Sequence, residues 1–139
     1  MVAVSETDSY WMQAALEQAG AALSSDEIPI GAVLVQNNSL LAADHNRTRE
    51  MNDPLAHAEK LAIDRAVKSG HKYLQDCTLY ITVEPCLMCT GMIIWARVGR
   101  VVYGCRDPKA GCAGSIYNAL QDKNFNHRPE LLSGVKSLE

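Results

Sequence analysis

A histidine, a glutamate two residues on, and a Pro-Cys-x-x-Cys run about thirty residues later tie two distant segments of this chain to one place. His57, Cys86 and Cys89 are donors of the kind zinc takes, and Glu59 is a carboxylate able to move protons. Three protein donors leave one tetrahedral position open, which is how catalytic zinc differs from structural zinc. A fold that unites these residues must bring the segment around Pro54 to Glu59 against the segment from Glu84 to Cys89. The rest of the chain can be read as building, orienting or covering that junction.

Ala15, Leu16, Ala19, Ala22 and Leu23 recur at helical spacing and predict an amphipathic helix from Met12 to Ser24-Ser25-Asp26. Ser5-x-x-Asp8 ahead of it resembles a capping box with Asp in the usual Glu place. Ile30 to Val35 and Leu40 to Ala43 read as strands, and Asn37-Asn38 between them suits the positive φ of a two-residue hairpin turn. Asn46 to Asn52 is a polar loop. Asp53-Pro54 predicts a helix start, with Asp as N-cap and Pro at the first helical position, running to Ser69 before Gly70. Residues two apart lie about 200° apart around a helix, so His57 and Glu59 can share a site only over the helix end.

Leu79 to Val83 predicts a strand that delivers Pro85, and Cys86-x-x-Cys89 opens a helix to about Arg97. Thiolates in a helix's first turn meet free N–H groups and the positive end of the dipole, which readies them for metal. That helix is apolar nearly all round, so it should be buried on two sides, against the sheet and against a second subunit. Val101 to Tyr103 is a further strand, followed by a Gly-rich loop from Gly104 to Gly114 and a short helix from Ser115 to Leu120. After polar Asn124 to Arg128, a last strand falls near Leu131. The order predicts an α/β protein with helices on both faces of a mixed sheet, one domain over residues 1–139.

Residues 1–60 carry three basic side chains against nine acidic ones, and residues 61–139 ten against seven, so the positive charge lies in the second part. The overall charge of −3 neither argues for a polyanionic partner nor excludes one. No apolar run approaches the eighteen or so residues of a membrane span, and no leader-like segment opens the sequence, so the expectation is a cytoplasmic protein without membrane contact. In that setting five cysteines are thiols or ligands rather than disulfides.

Taken together, Ile28-Pro29-Ile30-Gly31-Ala32-Val33, His45-Asn46-Arg47, Ala56-His57-Ala58-Glu59, Glu84-Pro85-Cys86-Leu87-Met88-Cys89, Gly104-Cys105-Arg106-Asp107-Pro108-Lys109 and Asn126-His127-Arg128 resemble the cytidine-deaminase superfamily. Within it the chain is similar to the bacterial tRNA-specific adenosine deaminases. The zinc motifs belong to the whole superfamily; the Arg-Asp-Pro-Lys loop and the Asn-His-Arg triplet are the signs of the tRNA branch. The resemblance implies a three-layer α/β/α fold with a five-stranded mixed sheet and a tRNA anticodon stem-loop as substrate, while the apolar helix from Cys86 to Arg97 predicts a homodimer. It implies zinc on His57, Cys86 and Cys89, Glu59 as proton shuttle, and Asn46 binding the base beside Pro29 and Ala58. Asp107, Lys109, Asn126, His127 and Arg128 would line the RNA cleft. It also implies a further C-terminal helix, which the sequence to Glu139 does not carry.

The chemistry follows from the residue types. Zinc brings the pKa of water from about 15.7 to about 7, and a neighbouring carboxylate can carry the released proton to a ring nitrogen and then to departing ammonia. The same centre would serve a deaminase of free guanine or cytosine. Taken singly, Cys86-x-x-Cys89 also fits a thioredoxin-like redox pair, and a zinc-stapled fold without activity would need Cys77 or Cys112 as fourth ligand.

Overall fold

A computed structural model describes residues 5–136. The elements run α1 (Glu6–Ser24), β1 (Gly31–Gln36), β2 (Ser39–His45), α2 (Ala58–Lys68), β3 (Cys77–Val83), α3 (Leu87–Ala96), β4 (Arg100–Cys105) and β5 (Glu130–Leu132), with a 3-10 turn at Ala119–Gln121 before β5. They form one five-stranded sheet in the order β2-β1-β3-β4-β5. β1 is antiparallel to β2 and β3, while β3, β4 and β5 run parallel. The expected α/β layering is what forms.

Period-two alternation sorts the side chains between the two faces. Ala32, Leu34, Leu79, Ile81, Val101 and Tyr103 join α2 and α3 in one core, through Ala62, Ile63 and Ile93. The residues between them, Val33, Val35, Tyr80 and Val102, pack with Trp11, Met12 and Ala15 of α1 on the other face. The central strands are covered on both faces, which is why they read as unbroken apolar runs. α1 presses close to the sheet: a Cβ on Gly31 would fall 2.1 Å from the Ala15 carbonyl oxygen, so only glycine fits there.

The hairpin forms as the sequence predicts, with Asn37 and Asn38 at φ of 50° and 59°. Ser5 caps α1 by accepting from the Asp8 N–H at 3.0 Å, but the Asp8 carboxylate does not complete a capping box. It turns inward to Arg100 at 2.6 and 2.9 Å and accepts from the Tyr80 hydroxyl at 2.8 Å.

Three expected helix boundaries differ, the first being α1, which starts at Glu6 directly after its Ser5 cap and not at Met12. α2 begins at Ala58, not at Pro54. Asp53 accepts from the Leu55 N–H at 2.9 Å and closes a local turn, and the Ala56 carbonyl is taken by the Arg47 N–H at 3.0 Å. The backbone groups a helix would need there serve the loop instead. The short helix expected over residues 115–120 is likewise a set of turns: the Ile116 N–H bonds the Gly111 carbonyl at 2.9 Å and the Ala119 N–H bonds that of Cys112 at 2.9 Å. Only the 3-10 turn remains.

Because β1 is antiparallel to both of its neighbours, β2, β3 and β4 all end at the same sheet edge, where β1 begins. The loops after β2 and β4 and the starts of α2 and α3 therefore crowd together. No helix among the described residues is long and apolar enough to cross a membrane.

Candidate active site

His57 and Cys86 occupy equivalent positions, as N-caps of α2 and α3 with extended backbones at φ −78° and −77°. An N-cap side chain usually accepts from its own helix, but neither of these does. Both are left free to face each other. Nδ1 of His57 lies 3.6 Å from Cys86 Sγ and 3.6 Å from Cys89 Sγ. Among the described residues these three are the group of His, Cys, Asp and Glu side chains able to hold a metal together, their donor atoms all within 4.8 Å of one another.

The donor set fits zinc. Bonds of about 2.3 Å to sulfur and about 2.05 Å to nitrogen at tetrahedral angles put the donors roughly 3.6 Å apart. The fourth ligand that a purely structural site would require is not supplied by Cys77 or Cys112, which lie outside the group.

Electrostatics prepare the trio for a cation. A hydrogen bond from Cys89 is the chief reason the Cys86 thiol is lowered to about 3, with His57 helping. Cys89 is pushed up, first by that bond to Cys86 and then by burial. His57 is raised, chiefly by its bond to Cys86. Glu59, in the first turn of α2, is buried, and that burial pushes its carboxyl up to about 7, with the Cys86 thiolate adding to the effect against His57.

A cavity of about 170 Å³ opens in front of these groups. His57, Glu59 and Cys86 form its floor, with Asn46, Ala58 and Asp107 of the sequence-predicted residues on its walls. The other expected residues stand elsewhere. Pro29 faces a shallow hollow against α1, although its neighbours Ile28 and Ile30 do reach the cavity. Lys109 is exposed on the loop after β4, its N–H bonded to Asp107 at 3.1 Å. Asn126 and His127 line a separate groove of about 240 Å³ along α3, where a His127 ring nitrogen sits 2.6 Å from the Val98 carbonyl oxygen. Arg128 donates to the carbonyls of Lys123 and Phe125 at 3.4 and 3.3 Å. The groove is larger, but the cavity holds the ionisable cluster, and the chemistry belongs there.

Thr48, Val83, Glu84 and Ala110 also line the cavity and were not singled out from sequence. Of these Glu84 left a trace: a carboxylate closing an apolar strand and still buried needs partners.

Comparison with known proteins places nearly the whole chain among the deaminases. Residues 6–137 match the family of MafB19-like deaminases. A tRNA-specific adenosine deaminase of Bacillus subtilis (strain 168) is 46% identical over 129 residues, covering 92% of this chain and 80% of that protein. One from Aquifex aeolicus (strain VF5) is 38% identical over 120 residues, covering 86% and 80%. The fold superposes with a TM-score of 0.88 on a structure from work on tRNA:A34 deaminases that edit A to I at the wobble position of transfer RNA, 41% identical and covering 93% of this chain and 94% of that one. A guanine deaminase from Bacillus subtilis gives 0.69 at 36% identity, covering 80% and 71%.

Proposed function

This chain belongs to the MafB19-like deaminase family and groups with the tRNA-specific adenosine deaminases, and from that premise we propose that it hydrolyses adenosine to inosine at the wobble position of a tRNA anticodon loop. The observation that carries the reading is the trio His57, Cys86 and Cys89 set beside buried Glu59 at the floor of a cavity.

His57, Cys86 and Cys89 would hold zinc, which when bound supplies a water that ionises near neutral pH. Glu59 then does the proton work. Its carboxylate takes the proton from the attacking water and delivers it to the ring nitrogen beside the amino-bearing carbon. That makes the carbon a better electrophile. A second transfer through Glu59 carries the remaining proton of the added hydroxyl to the amino group, which leaves as ammonia while the carbonyl forms. Burial raises the Glu59 carboxyl above its ordinary value, which suits a group that must both accept and release a proton. Asn46, buried with its carboxamide on the cavity wall, is the base-binding group. Asp107 and Lys109 stand on the loop that meets flanking nucleotides. An anticodon loop suits such a cavity, because its bases are single-stranded and can be splayed outward.

The groove along α3 is the proposed face for a second copy. Trp95 and Leu87 are 84% and 64% exposed on a helix whose other side is buried. Asn126, His127 and Arg128 lie by that groove, and in a dimer they would approach the partner. A tRNA substrate supports a cytoplasmic enzyme, and one family match over residues 6–137 supports a single deaminase domain. Inosine formation on an adenosine-bearing anticodon stem-loop, assayed beside ammonia release from free guanine and cytosine, tests the reading; turnover of the free bases alone would move the assignment to a nucleobase deaminase.

A further inference from the structure

Glu84 directly follows β3, two residues before Cys86, and is buried beneath the loop 106–115 that follows β4. Its carboxylate accepts from the N–H groups of Asp107 at 3.1 Å, Ala113 at 2.9 Å and Ser115 at 3.0 Å. It also accepts from the Ser115 hydroxyl. The loop presses back at Gly111, where an added Cβ would sit 2.3 Å from the Glu84 Cδ. It is stitched to the metal-binding segment on either side, through a bridge between Gly111 and Cys86 and a 2.9 Å bond from the Cys112 N–H to the Pro85 carbonyl. The same loop puts Asp107 and Ala110 on the cavity wall. The facing wall is held in the same manner: buried Glu27 accepts from the N–H groups of Arg49 and Glu50 at 3.0 and 2.7 Å, beneath the loop that carries Asn46 and Thr48.

We infer that Glu84 is a positioning residue for the deamination: its carboxylate fixes the loop 106–115 as the substrate-binding wall, in register with Cys86. The inference rests on the deaminase reading above. A carboxylate is required because all four of its partners donate, and an ionised carboxylate only accepts. Glutamine would turn an N–H donor against donors in a buried site. The chemistry at Glu59 and the metal ligands would be untouched, so the defect belongs in substrate capture.

The test is Glu84→Gln, with zinc content, kcat and KM measured on the anticodon stem-loop and amide hydrogen exchange measured over residues 106–115. Zinc should stay at one per chain, KM should rise about tenfold, and kcat at saturation should hold within about twofold, since one buried unsatisfied pairing is worth about that much. Exchange at Ala113 and Ser115 should quicken by a similar factor. Gly111→Ala, whose methyl displaces the carboxylate from the other side, should reproduce the split, and the double variant should be no worse than the worse single. If Glu84→Gln does not fold, Ser115→Ala, which removes one donor only, should still raise KM and quicken exchange. Lost zinc, a fall in kcat at unchanged KM, or unchanged exchange overturns the inference. A wild-type chain inactive on the stem-loop overturns the substrate reading instead, while the exchange result still decides the role of Glu84.

Discussion

Glu59 sits in the first turn of a helix, where an exposed glutamate would be an ordinary favourable charge. Burial makes it something else, a carboxyl poised at about 7 beside two thiols and an imidazole. Glu59→Gln keeps the size and cannot carry a proton, so it should retain zinc and fold while kcat falls by the ~10²–10⁴-fold typical of general acid–base groups. Near-normal inosine formation by that variant would assign the proton transfers elsewhere. The ligands themselves make a pH prediction. His57 and Cys89 are both raised, so they hold protons that a metal must displace. Zinc affinity should therefore fall as pH is lowered, and protons should be released on binding. Competition with a chromophoric chelator at about pH 8 and about pH 6 measures this; an affinity unchanged between them would mean the donors are not these residues.

The elements show how far local sequence carries. Cys86 as the opening residue of a helix was legible, because Pro85 and the apolar run after Cys89 bracket it. His57 was placed one turn too deep, because Asp53-Pro54 is a fair helix start by local rules. What overrides it is the distant loop after β2, whose Arg47 N–H claims the Ala56 carbonyl. The result is a better site than the one expected, with both segments that would hold the metal opening on an N-cap. The partners of the buried carboxylates were illegible for the same reason: those of Glu27 and Glu84 lie 22 to 31 residues away. Asp8 is another of them, pinning α1 to β4. Its bond to Arg100 chiefly, with help from Tyr80 and against its burial, lowers it to about 2 from 3.8. A depressed carboxyl stabilises the fold above its unfolded pKa, and the contribution is lost as pH falls through the folded value. Asp8→Asn should thus cost about 2 kcal/mol at pH 7, with the deficit shrinking between about pH 4 and pH 2. Urea unfolding across that range is the measurement, and a pH-independent deficit would assign the loss to packing.

At the scale of the whole molecule, one sheet edge gathers the chemistry and one helix face is left open. Trp95, Leu87 and Phe125 ring the groove along α3 with apolar surface, and surface of that kind marks an interface. Light scattering at micromolar concentration should give a dimer for the wild type and a monomer for Trp95→Glu. A monodisperse wild-type monomer would leave the face without its proposed cover. The charge distribution bears on the substrate. The chain is net acidic, yet its acidic excess lies before residue 61, while Arg106 and Lys109 stand exposed on the loop that walls the cavity. A free base bound in 170 Å³ would need no such rim, whereas nucleotides flanking a splayed adenosine bring phosphates to it. Neutralising a phosphate releases its condensed counterions, so the affinity for an anticodon stem-loop should fall linearly in log–log terms as salt rises. The loop is held in place from beneath by Glu84, so removing the Lys109 side chain should delete one contact without moving the wall. Lys109→Ala should then weaken binding and flatten the salt slope by about one unit, read by anisotropy of a labelled stem-loop across a salt series. The variant's kcat should stay near that of the wild type, because Glu59 and the metal ligands are untouched. A slope identical to the wild type's would place the phosphate contacts on another surface.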